Sequence, residues 1–150
     1  MKETDDDVNI KNPNEVFSFT SIKDLRNLPA DIWVDFIGVV VELEAPDEIN
    51  LKSGRTKPVW RVRFADNSDE SGLSIQVTFW GDISRKLNFK KGDVIALKGI
   101  KVGDYNGKSL NVSDENLMTT AYKGREFEVL TIWAEKNFDK LEKLKCLTEK

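Results

Sequence analysis

The chain has 150 residues, 39% apolar and 33% charged, with a formal net charge of -3. That is room for one domain with one core, and no apolar run approaches the roughly 20 residues that cross a bilayer. With no histidine and a single cysteine, Cys146, it lacks the means for Ser-His-Asp or Cys-His catalysis, histidine or structural zinc sites and an intrachain disulfide, which favours a cytosolic or nuclear protein.

Residues 1–15 read as a disordered acidic leader, with Glu3, Asp5, Asp6, Asp7 and Glu15 against Lys2 and Lys11. An acidic start is not a secretory signal. In FSFTSIKDL, Phe17 and Phe19 flank Ser18, and Ser21 suits the N-cap of a short turn through Leu25. Residues 33–43 form a strand rich in Val, Ile and Phe, and 45–57 form a loop. Residues 59–66 and 73–80 are the next two strands, joined by a turn over 67–72. A short helix over 82–89 precedes a fourth strand over 94–102. The turn Gly103 to Gly107 leads to a fifth strand over 109–112. Residues 126–145 have helical spacing, with Phe127, Leu130, Phe138 and Leu141 on one side and Glu and Lys on the other. The expected organisation is the leader 1–15, a domain over 16–125 and a C-terminal helix within 126–150. The fold class is all-β with helical additions. Five strands with a helix after the third is the order of a five-stranded OB-fold barrel, a scaffold that binds oligonucleotides and oligosaccharides.

Two segments point to a ligand. In IQVTFWGD, Ile75, Val77 and Phe79 alternate with Gln76, Thr78 and Trp80. Side chains alternate across a strand, so Trp80 shares the polar face with Thr78 and Gln76. A capping core residue at a strand end is the competing reading, but Phe79 already occupies the core phase. In GIKVGDYNGKSLNV, Tyr105 and Asn106 sit at the tip of a hairpin. Rings on a polar sheet face and on a nearby hairpin suit the stacking of unpaired bases.

The overall negative charge argues weakly against nucleic acid, but its distribution matters more. From Leu51 to Phe64 the chain has Lys52, Arg55, Lys57, Arg61 and Arg63 and no acid. Lys52, Arg55 and Lys57 occupy the longest loop, where they could reach phosphates or simply solvate it. Arg61 and Arg63 face either a groove or the outside of the barrel. Trp60 shares the parity of Val62 and Phe64 and is expected in the core or at the barrel mouth, and Trp33 and Trp133 are expected to pack.

Taken together, FSFTSIKDL, VDFIGVV, VTFWGD and LKGIKVGDYNGKSLNV resemble the replication protein A family. The similarity is to the second DNA-binding OB domain of its large subunit and to the telomerase-associated paralogues of that subunit in ciliates. It runs from about Phe17 to about Trp133. The resemblance implies that Trp80 and Tyr105 are the two stacking aromatics, with Tyr105 standing where many members have Phe. It implies that Lys52, Arg55 and Lys57 close over the strand and that Lys101 touches the DNA backbone. It further implies a nuclear protein of DNA replication or telomere maintenance, with neighbouring OB domains or subunits as partners. The extended C-terminal helix departs from the short one usual in this class.

The expected function is single-stranded DNA binding without chemistry, as one module of a multi-OB protein. Hydrogen bonds from Gln76, Thr78 and Asn106 could sharpen sequence preference. No catalytic residue, metal or cofactor is expected, nor any membrane association. The alternative is a protein-interaction OB domain that docks a partner through its C-terminal helix.

Overall fold

The computed structural model of the chain describes residues 16–104, 107–113 and 117–148. A four-residue helix α1 (Ile22–Leu25) is capped by Ser21, whose Oγ accepts from the Asp24 amide. It is followed by β1 (Trp33–Leu43), β2 (Asp47–Asn50), β3 (Thr56–Asp66) and β4 (Leu73–Trp80), then a 3₁₀ turn over Gly81–Arg85. After that come β5 (Val94–Gly103), β6 (Ser109–Val112), β7 (Met118–Thr119), α2 (Arg125–Lys136), a second 3₁₀ turn over Phe138–Lys143 and β8 (Lys145–Cys146).

The barrel closes because β3 pairs with both β1 and β4, β4 pairs in parallel with β6, and β6 pairs with β5, which returns to β1. This is the expected five-stranded OB barrel. β1 serves two partners through register shifts between Val34 and Phe36 and between Val40 and Glu42. Such bulges bend a strand around a barrel corner. Gly38 lies between them because a Cβ there would sit 2.7 Å from the Phe36 ring and 3.2 Å from the Ala65 carbonyl oxygen.

Two apolar clusters explain why β1 reads as a nearly continuous apolar run. Val34, Phe36 and Val40 point into the barrel with Val62, Phe64, Ile75, Val77, Phe79, Ile100, Val102 and Leu110. Trp60 belongs to this core, stacked on Phe89 with centroids 6.0 Å apart, and its indole N–H donates to the Glu44 carbonyl at 2.6 Å. The other phase of β1, Ile37, Val39 and Val41, lies outside the barrel beneath Leu130, Ala134 and Leu141. Phe17, Phe19 and Tyr122 form an aromatic cluster at the margin of this second layer, with centroids 4.8–5.3 Å apart.

Three expectations change. The segment over 45–57 is a ribbon, with β2 paired to the start of β3 from Asp47↔Val59 to Asn50↔Thr56. The helix expected over 82–89 is the 3₁₀ turn Gly81–Arg85. The helix expected over 126–145 ends at Lys136, where the Asn137 side chain donates to the Trp133 carbonyl oxygen at 2.8 Å. The chain then turns back and β8 joins the sheet in parallel beside β4, Leu73↔Lys145 and Ser74↔Cys146. Burying Leu141 fully against the barrel, worth about 1.5–3 kcal/mol, favours this return over a longer solvated helix. The leader 1–15 lies outside the described residues.

Candidate nucleic-acid interface

The polar face read in the sequence opens into a cleft of about 660 Å³ lined by Arg61, Gln76, Thr78, Trp80 and Asn111. Its walls are Ile49 from the β2–β3 ribbon, Gly103, Asp104 and Ser109 at the base of the β5–β6 hairpin, and Ala30, Asp31, Glu44 and Thr148. The floor follows from cross-strand pairing. Arg61 lies opposite Thr78, and Thr78 lies opposite Asn111. The inward neighbours of these residues, Val62, Val77, Phe79, Leu110 and Val112, fill the barrel. Thr78 is buried, and its Oγ1 accepts a hydrogen bond from the Gln76 side-chain Nε2 at 3.2 Å.

Trp80 is held in place rather than buried. Its indole N–H donates to Asn111 Oδ1 at 2.9 Å, and the Lys57 ammonium lies 5.6 Å from its ring centroid. Gly81 follows it with φ 82, a left-handed conformation that glycine adopts without strain, so the chain leaves the sheet immediately after the ring. Trp80 is therefore half-buried at the edge of the cleft, its polar atom satisfied and part of its apolar surface open to the cleft.

The basic residues divide. Arg61 lines the cleft and pairs with Asp47 at 3.3 Å. A hydrogen bond from the Glu48 amide, followed by the Arg61 guanidinium, holds the Asp47 carboxyl below its usual range. Lys57 reaches Trp80, whereas Lys52 and Arg55 are exposed at the tip of the ribbon, where the Leu51 amide donates to the Arg55 carbonyl at 2.8 Å. Lys101 is exposed on β5, 3.6 Å from the Asp31 carboxylate. Arg63 is committed elsewhere: it pairs with Glu42 at 3.1 Å and donates to the Glu142 carbonyl of the C-terminal turn. That contact arises because the chain folds back after α2. Tyr105 and Asn106 lie outside the described residues.

Three features escaped the sequence reading. Asn111 anchors Trp80, and the alternation of Leu110, Asn111 and Val112 already put it on the polar face. Thr148 lines the cleft, its Oγ accepting from the Gln76 amide at 3.0 Å and donating to the Lys108 carbonyl. No local pattern announces a contact 72 residues away in sequence. Trp33, expected to pack, is 64% exposed.

Comparison with known proteins agrees with this geometry. Residues 22–121 match the family model described as the replication protein A OB domain. The replication protein A 70 kDa DNA-binding subunit of Gallus gallus is 36% identical over 100 residues, which is 67% of this chain and 16% of the relative. A replication protein A 70 kDa DNA-binding subunit of Oryza sativa subsp. japonica is 31% identical over 138 residues, 87% of this chain and 14% of the relative. The chain thus spans about a sixth of the length of these relatives. A solved replication protein A heterotrimer bound to ssDNA superposes with a TM-score of 0.68 at 25% identity, covering 89% of this chain and 31% of that one. The second OB-fold domain of replication protein A from Methanococcus maripaludis has a TM-score of 0.53 at 21% identity, covering 73% of this chain and all of that one, a likeness of fold.

Proposed function

Because the chain belongs to the replication protein A OB-domain family, we propose that it binds single-stranded DNA across the cleft, without chemistry, as one OB module of a larger nuclear replication protein. The observation that carries this reading is Trp80, a half-buried ring fixed by Asn111 at the edge of a cleft between two hairpins, with a lysine at its face. A base can stack on the free surface of the ring. The ring is already ordered, so little side-chain entropy is lost on binding. Lys57, Arg61 and Lys101, with Lys52 and Arg55 at the ribbon tip, supply phosphate contacts. Gln76 and Thr78 offer polar groups to base edges. The family resemblance adds Tyr105 as a second stacking ring, and the sequence offers Asn106 as a further hydrogen-bonding group. The carboxylates of Asp31, Glu44 and Asp104 along the same cleft temper its positive potential and leave stacking a large share of the affinity. Neighbouring OB domains or subunits are the proposed partners. The support for this is the small fraction of each relative that the chain spans and the heterotrimeric assembly of the superposed structure.

The test is fluorescence anisotropy with a labelled single strand, at several salt concentrations. Three to five phosphate contacts give a log–log slope of about −2 to −3.5, at roughly −0.7 per contact. Trp80→Ala should weaken binding by about 1–3 kcal/mol with the fold intact by circular dichroism. Parental affinity in a folded Trp80→Ala protein would falsify the reading.

A further inference from the structure

Trp33 opens β1 with most of its ring in solvent, although its sequence context predicts packing. The chain reaches it through Asp31, whose φ of 70 is left-handed and whose amide donates to the Val102 carbonyl at 2.8 Å. This ties the start of β1 to β5 and fixes where Trp33 emerges. Its inward neighbour Val34 is in the barrel core, so Trp33 stands on the outer face.

The register joins that face to the cleft. Trp33 lies opposite Lys101, Lys101 opposite Asn111, Asn111 opposite Thr78 and Thr78 opposite Arg61. One unbroken row of outward side chains therefore crosses five strands, from a tryptophan at one end to an arginine at the other. Three of its members, Arg61, Thr78 and Asn111, form the cleft floor, and Asn111 also holds Trp80. At about 4.8 Å per strand, Trp33 stands roughly 14 Å along the sheet from Thr78. That is too far to share a base with Trp80 and near enough to share a strand. Lys101 Nζ lies 5.8 Å from the Trp33 centroid, which sets a phosphate-binding cation beside a face that can stack.

We infer that Trp33 is a base-stacking platform of its own, working with Lys101 to extend the single-strand site past the base of the β5–β6 hairpin. The inference rests on the cleft being a single-stranded DNA site, and its test separates the two. Full-length protein is titrated with labelled oligothymidylates of about 4 to 16 nucleotides, the range of a single OB site. Trp33→Ala should bind the shortest strands like the parent and lose roughly five- to hundredfold on strands long enough to pass from Trp80 to Trp33. Trp33→Phe should recover most of that affinity. It should also show less DNA-induced quenching of tryptophan emission than the parent on the long strands alone. A loss that is uniform at all lengths, or no loss at any length while Trp80→Ala weakens binding, overturns the inference and leaves the cleft reading intact. If Trp80→Ala is also silent, the cleft reading itself fails, and the inference with it.

Discussion

The outside of this barrel has two faces built on the same strands, and they meet opposite fates. On one, Ile37, Val39, Val41, Ala65, Val94 and Ala96 are covered by α2 and the turn that follows it. On the other, Trp33, Arg61, Gln76, Thr78, Trp80, Lys101 and Asn111 face a cleft or solvent. β1 belongs to both, opening with Trp33 on the exposed face and continuing with aliphatic residues on the covered one. The boundary is Asp35. Its carboxylate accepts from the Ser18 amide at 3.0 Å and the Gly99 amide at 2.8 Å, and it pairs with Lys98 at 3.2 Å, which ties the segment before α1 to β5. An aliphatic outer face requires a cover from its own chain, and α2 supplies it. A face of hydroxyls, amides and cations stays solvated without a cover, and its rings, Trp33 and Trp80, are not packed beneath another element of the chain.

This division predicts that stability and binding respond to different substitutions. The largest effect belongs to the covered face. Leu130→Ala should lower unfolding free energy by about 2–5 kcal/mol in urea titration, while the fraction that remains folded binds DNA like the parent. A weakened affinity in folded Leu130→Ala would mean that the two faces are coupled. On the open face, Asn111→Ala removes the acceptor that holds the Trp80 indole. Affinity should drop by about 0.5–1.5 kcal/mol, less than for Trp80→Ala, and the double variant should bind no worse than Trp80→Ala alone. An additive loss in that cycle would give Asn111 its own contact with DNA.

The smallest effect concerns pH. Asp66 sits at the margin of the covered face, beside a cavity of about 500 Å³ under α2. Burial pushes its carboxyl up, only partly offset by hydrogen bonds from Ser68 and the Ile22 amide. A carboxyl raised in the folded state binds its proton more tightly there than in the unfolded chain. Its ionisation therefore costs stability as pH rises from the unfolded value near 3.8 through the folded value, and the penalty is removed on acidification. The parent's urea midpoint relative to that of Asp66→Asn should therefore improve between neutral pH and about pH 4, with Trp80 fluorescence in the DNA complex unchanged where both proteins are folded. A flat difference would show that burial does not dominate at Asp66.

The sequence by itself determined the barrel strands and the shared face of Gln76, Thr78 and Trp80, but left Arg61 open between groove and barrel exterior. The bounds read for β1, β4 and β6 match the structure because alternation and turn residues are local signals. The same alternation put Gln76, Thr78 and Trp80 on one face, since a strand fixes side-chain direction by parity alone. Family resemblance, together with the strand order, gave the barrel topology. Only the tertiary structure decided which outward residues are open. The periodicity of 126–145 showed an apolar stripe but not that Asn137 ends the helix, nor that Leu141 and β8 fold back on the barrel and bring Thr148 to the cleft while occupying Arg63. Likewise an aromatic at the start of a strand looks the same whether it packs or stands free. The difference at Trp33 is set by the twist and register of β1 against β5, which involve residues far apart in the chain and leave no mark on the sequence around it.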